Sequence, residues 1–320
     1  MDRPVKVVAL GGGHGLAATL QALRKITHEL TAIVTVADNG GSSGRLREEF
    51  NSLPPGDLRM ALAALCADDD WGRSWAEIMQ YRFTSNGALD GHALGNLLLT
   101  ALWDRDTDPV LGLEKVGALL KVVGRVLPMA QEPLDIEAVF KSWDGTHVIR
   151  GQKEVAVAKG SLEDLRLIPN SATPTDEGLA AISNADFITL GPGSWFSSVL
   201  PHLLVSKQLS ALQNANAKRV FVLNLDATAN HTGDEFAGNT PAEHLQVVRR
   251  FAPDLRCDIA LLDKSIAAGA EVMPELERLV TEMGGRVIVA DLASHPGSKH
   301  HDPNKLFSAF SHIFESEMLR

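Results

Sequence analysis

The chain has 320 residues, of which 45% are hydrophobic and 22% are charged, as is typical of a globular protein with a large core. Its formal net charge is −10 at pH 7. A general nucleic-acid-binding protein needs a basic face that displaces phosphate counterions, so this composition argues against nucleic acid as a partner. It still allows a local basic pocket for an anionic small molecule.

Cysteine content and hydrophobic segments favour a cytoplasmic location. Two cysteines are too few for a disulfide framework, and the N-terminal residues do not show the pattern of a secretion signal. The longest apolar region, at about 188–205, is interrupted by glycine and proline, and no run reaches the roughly 20 apolar residues that a membrane span needs. We expect a cytoplasmic protein without membrane insertion.

β-branched runs alternate along the chain with segments of helical periodicity. The predicted elements are strand 5–10, helix 16–26, strand 31–37, helices 57–66, 92–103, 113–123 and 176–184, strand 186–190, helix 194–215, strand 219–224, a helix capped by Thr240, strand 258–262, helix 274–283, strand 286–291, and a helix from Asp302 to about Glu317. This order predicts right-handed βαβ crossovers and a mostly parallel sheet covered on both faces.

Residues 125–170 break this alternation. Two alternating runs flank Asp144 and Gly145, a dipeptide suited to the positive backbone angles of a hairpin turn, and a strand at 165–168 follows them. We predict a β-rich insert at about 125–170 within a single domain that spans residues 1–320.

A glycine-rich turn follows the first predicted strand, in the sequence VVALGGGHGLAATLQAL. Free backbone N–H groups at the start of the next helix attract anions, and glycine lets an anion approach without meeting a Cβ atom. The spacing matches neither the dinucleotide-binding fingerprint nor a Walker A loop, so a plain tight turn is about as compatible with it as a phosphate site. The turn consists of Gly11, Gly12, Gly13, His14 and Gly15.

The second predicted strand leads into Asp38, at the distance from the glycine turn where an acidic side chain bonds a ribose hydroxyl. The loop after it offers backbone N–H groups, two hydroxyls and a guanidinium to an anion, although a mobile surface loop has the same composition. Its residues are Asn39, Gly40, Gly41, Ser42, Ser43, Gly44 and Arg45.

Two further segments carry candidate polar residues. Asp57 stands at a predicted helix start, where its simplest role is an N-cap, whereas together with Asp38 it would bind Mg²⁺. Arg59 follows within the same helix. His92 and Asn96 stand near the start of another helix, where a histidine is more often a capping or packing residue.

A second glycine turn follows a later strand, in the sequence ITLGPGSWFSSVLP. Two such turns at the carboxyl ends of strands in one sheet favour a pyrophosphate-like ligand across the crevice, and another tight turn is the alternative. We expect Asn224, at the end of the following strand, to face the same crevice. The turn consists of Gly191, Pro192, Gly193 and Ser194.

His300 and His301 do not form a predicted metal pair. Adjacent residues on an extended segment point to opposite sides, so we expect a solvated loop there. The sequence also contains no Gly-x-Ser-x-Gly elbow, His-Glu-x-x-His or Cys-x-x-Cys motif, so it does not support common hydrolase or zinc chemistry.

The chain resembles the gluconeogenesis factor family in the blocks GGGHG, AIVTVADNGGSSGRLREEF, LPPGDLRMALAAL, LDGHALGNLLLTAL and ADFITLGPGSWFSSVLPHLLV, which occur in this order. This family is the YvcK-like branch of the CofD-like superfamily, whose other branch contains the 2-phospho-L-lactate transferases of coenzyme F420 biosynthesis. The resemblance implies a Rossmann-like α/β fold and a cytoplasmic protein that binds nucleotide-diphosphate ligands, notably UDP-sugars. It also implies a role in cell shape, cell-wall precursor supply and growth on gluconeogenic carbon sources.

The resemblance assigns ligand binding to the Gly11–Gly15 turn, Asp38, residues 40–45, Asp57, Arg59, His92, Asn96 and the Gly191–Ser194 turn. The transferase branch uses Mg²⁺ and releases GMP. Asn39 stands where a second Asp is common in the family, which favours sugar-nucleotide binding over metal-dependent transfer.

The leading interpretation is therefore a UDP-sugar-binding regulator. The alternatives are a Mg²⁺-dependent phospholactyl-type transferase, in which Asp38 and Asp57 hold the metal, and an NAD-dependent redox protein. GDP and NAD are further candidate ligands, and a homodimer is the default oligomer.

Overall fold

The computed structural model describes residues 3–319 except 107, 157, 159, 226–239 and 270–271. The helices are α1 (Gly13–Leu23), α2 (Gly41–Phe50), α3 (Pro55–Leu65), α4 (Asp70–Gln80), α5 (Leu94–Asp106), α6 (Pro109–Leu120), α7 (Gln152–Ala156), α8 (Asp176–Ser183), α9 (Leu200–Leu204), α10 (Ser206–Asn214), α11 (Pro241–Phe251), α12 (Lys264–Ala267), α13 (Val272–Glu282) and α14 (Pro303–Met318). The strands are β1 (Val7–Gly11), β2 (Leu30–Val34), β3 (Arg125–Pro128), β4 (Asp135–Ser142), β5 (Gly145–Arg150), β6 (Ser161–Ile168), β7 (Phe187–Leu190), β8 (Lys218–Val222), β9 (Ile259–Asp263) and β10 (Arg286–Ala290).

A large sheet forms the centre of the described structure, in the strand order β10-β9-β8-β7-β1-β2-β3 with every pair parallel. β1, β7 and β9 are short apolar runs buried at every position, as expected for parallel strands covered on both faces. Helices α1, α3 and α14 pack together on one face, and α8 and α10 pack together on the other. The predicted three-layer, mostly parallel α/β architecture is confirmed.

Two helices begin with the caps that the sequence predicts. Thr240 accepts a hydrogen bond from the Glu243 N–H, and Glu243 accepts one from the Thr240 N–H, which is a complete capping box at α11. Asp302 caps α14 by accepting bonds from the N–H groups of Asn304 and Lys305. Within the described ranges, none of the helices is long and apolar enough to cross a membrane.

The single helix predicted over 194–215 is wrong. A π-helical turn over Trp195–Val199 comes first, and α9 and α10 follow as separate helices. Pro201 stands in the first turn of α9, where it has no N–H to continue the preceding hydrogen-bond ladder.

A small antiparallel sheet in the order β5-β4-β6 falls within the predicted insert. Its hairpin turn lies one residue earlier than predicted, at Trp143 and Asp144, because Gly145 already pairs with Ser142 as the first residue of β5. β3 also falls in the range 125–170, but it pairs with β2 in the large sheet, so the additional sheet covers 135–168. Phe140 on β4 packs against Phe196 with ring centroids 5.8 Å apart. The insert is therefore held against the π-helical turn after β7.

Candidate functional site

The two glycine turns lie where the strand order of the large sheet reverses. β1 and β7 are parallel neighbours, so the turns Gly11–Gly15 and Gly191–Ser194 leave the same edge of the sheet. From β1 the chain continues to β2 and β3 on one side, whereas from β7 it continues to β8, β9 and β10 on the other. Doubly wound proteins bind their ligands in the crevice at such a reversal.

The turns are in direct contact with each other. A Cβ atom at Gly15 would lie 2.1 Å from the carbonyl oxygen of Pro192 and 3.1 Å from the Cα of Gly193. Gly13, in contrast, has a φ of 60°, and a Cβ atom there would meet nothing within 4 Å in the described part of the chain. The crevice is closed between the turns at Gly15 and open at Gly13.

Asp57 lies beneath the first turn. Its carboxylate accepts hydrogen bonds from the Thr35 hydroxyl, at 3.3 Å, and from the Gly13 N–H. A Cβ atom at Gly12 would come within 2.4 Å of Asp57 Oδ2 and 2.5 Å of Thr35 Oγ1, so a larger residue there would displace this bonded pair. Burial and, next, the negative charge of Asp38 raise the pKa of Asp57 to about 7.

Asp57 does not cap α3, contrary to its simplest interpretation from sequence. The helix begins at Pro55, Pro54 is its N-cap, and no side chain accepts a capping hydrogen bond there. Thr35, which bonds Asp57, was not predicted as a site residue. The sequence feature that could have indicated Thr35 is a hydroxyl-bearing residue near the end of the apolar run AIVTVA.

The segment after Asp38 is a helix start and not an exposed donor loop. Asp38 Oδ1 accepts a bond from the Gly40 N–H at 2.8 Å, and α2 begins at the next residue. A Cβ atom at Gly44 would lie 2.2 Å from the carbonyl oxygen of Asn39, whereas Gly41, with a φ of 49°, faces open space. The glycines therefore close the first turn of α2 tightly and leave one open position at its start.

A buried polar network joins α2, α3 and α5. Ser42 Oγ lies 3.0 Å from His92 Nδ1 and accepts a bond from Asn96 Nδ2 at 2.9 Å. Asn96 Oδ1 accepts a bond from Arg59 Nε at 2.8 Å, while Arg59 Nη1 is buried with no hydrogen-bond partner among the described residues. Burial and, next, the charge of Arg82 lower the pKa of Arg59 to about 10. An unsatisfied buried guanidinium nitrogen is costly and is the kind of group that an anion would satisfy.

Two other side chains that the sequence predicts as donors to an anion, Ser43 and Arg45, do not face the glycine turns in this way. Ser43 is buried, and a Cβ atom at Gly56 would lie 2.3 Å from its hydroxyl oxygen. Arg45 is exposed, and its guanidinium donates to the carbonyl oxygens of Ala88, at 3.3 Å, and Asp90, at 2.6 Å. Arg59 is therefore the better placed of the two arginines to offset charge beside Asp57.

The second turn is shaped by side chains that bond it. Asn224 Oδ1 accepts a bond from the Gly193 N–H and Asn224 Nδ2 donates to the Gly193 carbonyl oxygen, both at 3.0 Å. Ser194 Oγ accepts bonds from the N–H of Ser197, at 3.1 Å, and from its hydroxyl, at 2.6 Å. Asn224 thus lies at the predicted edge but holds the turn in place.

The histidines fall into different environments. His14 is exposed in the first turn of α1, whereas His92 is buried in the polar network. The solvated loop expected for His300 and His301 is wrong for His301, which is 8% exposed and bonds the backbone of Leu223. Burial lowers the pKa of His301 to about 4. The reason is that the segment before α14 folds back onto the end of β8.

The two carboxylates that the sequence predicts as Mg²⁺ ligands are those of Asp38 and Asp57. Both are hard oxygen ligands, and the effect of Asp38 on the pKa of Asp57 shows that their charges interact. In the described ranges, no cluster of three or more His, Cys, Asp or Glu side chains is arranged to hold a metal ion. The residues therefore fit a cation that two carboxylates share with ligand or water oxygens, which is the usual coordination of Mg²⁺.

The doubly wound sheet with two glycine turns at its reversal point defines an α/β protein of Rossmann-like architecture. The family model described as 2-phospho-L-lactate transferase CofD matches residues 7–293, and the chain belongs to this family.

Relatives in the same family carry a more specific name. A "Putative gluconeogenesis factor" of Mycobacterium tuberculosis is 45% identical over 304 residues, which are 94% of this chain and 87% of the relative. A "Gluconeogenesis factor" of Halalkalibacterium halodurans is 34% identical over 285 residues, which are 89% of this chain and 84% of the relative. The crystal structure of a UPF0052 family member from Bacillus halodurans superimposes with a TM-score of 0.82 at 31% identity, covering 97% of this chain and all of that one.

Proposed function

We propose that this protein is a cytoplasmic regulator of the gluconeogenesis factor type that binds a UDP-sugar at the reversal point of its large sheet. The observation that carries the proposal is the meeting of two glycine turns at one edge. Arg59, whose charge interacts with Asp57 and Asp38, adds a buried Nη1 that has no hydrogen-bond partner among the described residues. Bare backbone and an unsatisfied guanidinium together suit a diphosphate, which carries two negative charges on a compact group.

In this proposal the diphosphate contacts the Gly11–Gly15 and Gly191–Ser194 turns and approaches through the open side at Gly13. Arg59 offsets part of its charge. Asp38 accepts a hydrogen bond from a ribose or sugar hydroxyl through the oxygen that does not bond Gly40. Ser194 and Asn224 keep the second turn in the shape that the ligand meets.

Calorimetry tests this proposal with UDP-N-acetylglucosamine, UDP-glucose, GDP and NAD, each with and without Mg²⁺. We expect saturable binding of the UDP-sugars, and no heat from any of the four ligands would refute the proposal. Asp38→Ala should weaken UDP-sugar binding by about 1–3 kcal/mol, because a charged acceptor loses its hydroxyl donor. Asp254→Ala, which changes an exposed aspartate before β9, is the matched control and should bind as the wild type does.

The physiological part of the proposal is a role in cell shape and cell-wall precursor balance during growth on gluconeogenic carbon sources. It is supported by the names of the relatives. A strain that lacks this gene should lose normal shape on such a carbon source, and the wild-type gene should restore it. Complementation by the Asp38→Ala variant at equal protein level would separate the role from ligand binding and contradict the proposal.

A second candidate function is Mg²⁺-dependent transfer of a 2-phospho-L-lactate-type group from a nucleotide-diphospho donor. It is favoured by the description of the family model and by the carboxylate pair. Asp38 and Asp57 would hold Mg²⁺, which neutralises charge on a transferring phosphoryl group. This function predicts Mg²⁺-dependent GMP release from donor and deazaflavin, abolished in Asp57→Asn. If the protein receives both substrates and releases no GMP, the transferase function is excluded.

A further inference from the structure

The short helix α7 of the insert lies across the candidate site. On one side it bonds the segment after β2, because the Lys153 N–H donates to Asn39 Oδ1 at 3.2 Å and Asn39 Nδ2 donates to Glu154 at 2.9 Å. On the other side α7 packs against the π-helical turn that follows the second glycine turn. Val155, which is 1% exposed, anchors the helix in the core. α7 therefore contacts the segments on both sides of the crevice.

The side chain of Lys153 runs over the start of α2. A Cβ atom at Gly40 would lie 3.4 Å from Lys153 Cδ and 3.7 Å from Lys153 Cε, which is ordinary packing distance. The next residue, Gly41, borders open space. Lys153 is exposed, and within the described ranges its ammonium group forms neither a hydrogen bond nor an ion pair. The aliphatic stem is thus packed. The hydrogen bond from Asn39 and, to a smaller extent, the ammonium charge of Lys153 lower the pKa of Glu154, but the ammonium group forms no direct contact with a carboxylate among the described residues.

A cation at this position would offset negative charge around the crevice. Asp38 and Asp57 place two carboxylates at this edge, and a diphosphate would add two more negative charges. Arg59 supplies one buried guanidinium, whereas the guanidinium of Arg45 donates to two carbonyl oxygens in the segment before α5. A lysine ammonium is a compact point charge that suits a phosphate oxygen.

We propose that Lys153, from the β-rich insert, is a phosphate-binding residue of this site and contacts the diphosphate of the bound nucleotide. This inference rests on the proposed function for the identity of the nucleotide, but its central claim is an anion contact. The insert then adds a cation to a crevice that already contains the carboxylates of Asp38 and Asp57.

Calorimetry with inorganic pyrophosphate, UDP-N-acetylglucosamine and uridine tests the inference on three variants. Lys153→Met keeps the stem that packs on Gly40 and removes only the charge, Lys153→Arg restores a cation, and Lys141→Met removes an exposed lysine from β4 of the same insert. We expect Lys153→Met to weaken pyrophosphate and UDP-sugar binding about tenfold, as for one charge-assisted hydrogen bond. Uridine binding should not change, Lys153→Arg should recover most of the loss, and Lys141→Met should match the wild type.

The outcomes distinguish this inference from the proposed function. Binding of pyrophosphate but of no nucleotide by the wild type refutes the UDP-sugar proposal and leaves the anion contact supported if Lys153→Met weakens pyrophosphate. Equal affinity of wild type and Lys153→Met for pyrophosphate overturns the inference, and so does an equal loss in Lys141→Met. A wild type that binds neither pyrophosphate nor nucleotide overturns both. Unfolding curves of the three variants should coincide, because the lysines are exposed.

Discussion

The contact between the two glycine turns can be tested with one methyl group. Gly15 lies in the first turn of α1, and intrinsic helix propensity alone predicts that Gly15→Ala stabilises the protein by about 1 kcal/mol. The structure predicts the opposite sign. The new Cβ atom would lie 2.1 Å from the Pro192 carbonyl oxygen and 2.6 Å from the Pro192 carbonyl carbon, so a backbone segment has to move by about 1 Å.

The expected cost follows from these two opposing terms. Overpacking that forces backbone to shift costs about 1–3 kcal/mol, and it exceeds the gain in propensity because no flexible side chain can absorb it. We therefore expect Gly15→Ala to lower the free energy of unfolding by about 1–2 kcal/mol. The variant should also bind the nucleotide more weakly, because the turns are pushed apart.

Urea unfolding followed by circular dichroism measures the first effect, and calorimetry with a UDP-sugar measures the second. Ala18→Gly in the same helix is the control. It loses helix propensity together with the packing of one half-buried methyl group, so it should destabilise by about 1–2 kcal/mol without changing affinity. A Gly15→Ala variant that is more stable than the wild type would show that the turns do not touch as described, and it would remove the main geometric support for a shared ligand.

Further predictions concern buried polar groups and one helix cap. Because the folded pKa of Asp57 is raised above 3.8 to about 7, the folded state holds this proton more tightly, so stability should fall as pH rises from about 4 through 7. Asp57→Asn should flatten that fall in urea titrations between pH 4.5 and 8, and an unchanged slope would argue against a buried carboxyl. Asn96→Ala leaves Arg59 Nε unpaired and should cost about 1–3 kcal/mol in unfolding free energy, whereas a neutral effect would contradict the network. Thr240→Ala should lower the free energy of unfolding by about 1 kcal/mol, because it removes the capping box. Thr240→Ser keeps the hydroxyl and should lower it much less, so an equal loss in the two variants would contradict the cap.

The position of the insert means that residues of the proposed site come from two parts of the fold. In the proposed site, the two turns follow β1 and β7 of the large sheet and Asp57 lies on α3, whereas Lys153 lies on α7, which follows β5. A ligand that contacts both would couple the insert to the reversal point of the sheet.

Local features of this chain could be predicted from its sequence because each depends on residues close together along it. The glycine turns follow apolar strands, the hairpin turn lies within one residue of the predicted Asp144 and Gly145, and the four consecutive residues from Thr240 to Glu243 specify the cap of α11. The alternation of strands and helices also predicts the mostly parallel sheet, since crossover connections favour it.

Other features were decided only by tertiary structure. Residues 41–50 contain two glycines and two serines, which favour a loop locally, yet they form α2 because Ser42 bonds His92 and Asn96 from α5 and its approach. His301 is buried because β8 ends beneath it. No local pattern places β7 beside β1, Arg59 against Asn96, or Lys153 over Gly40, because these contacts join residues far apart in sequence. The strand order and the packing of the insert, which depend on burial of the whole core, bring them together.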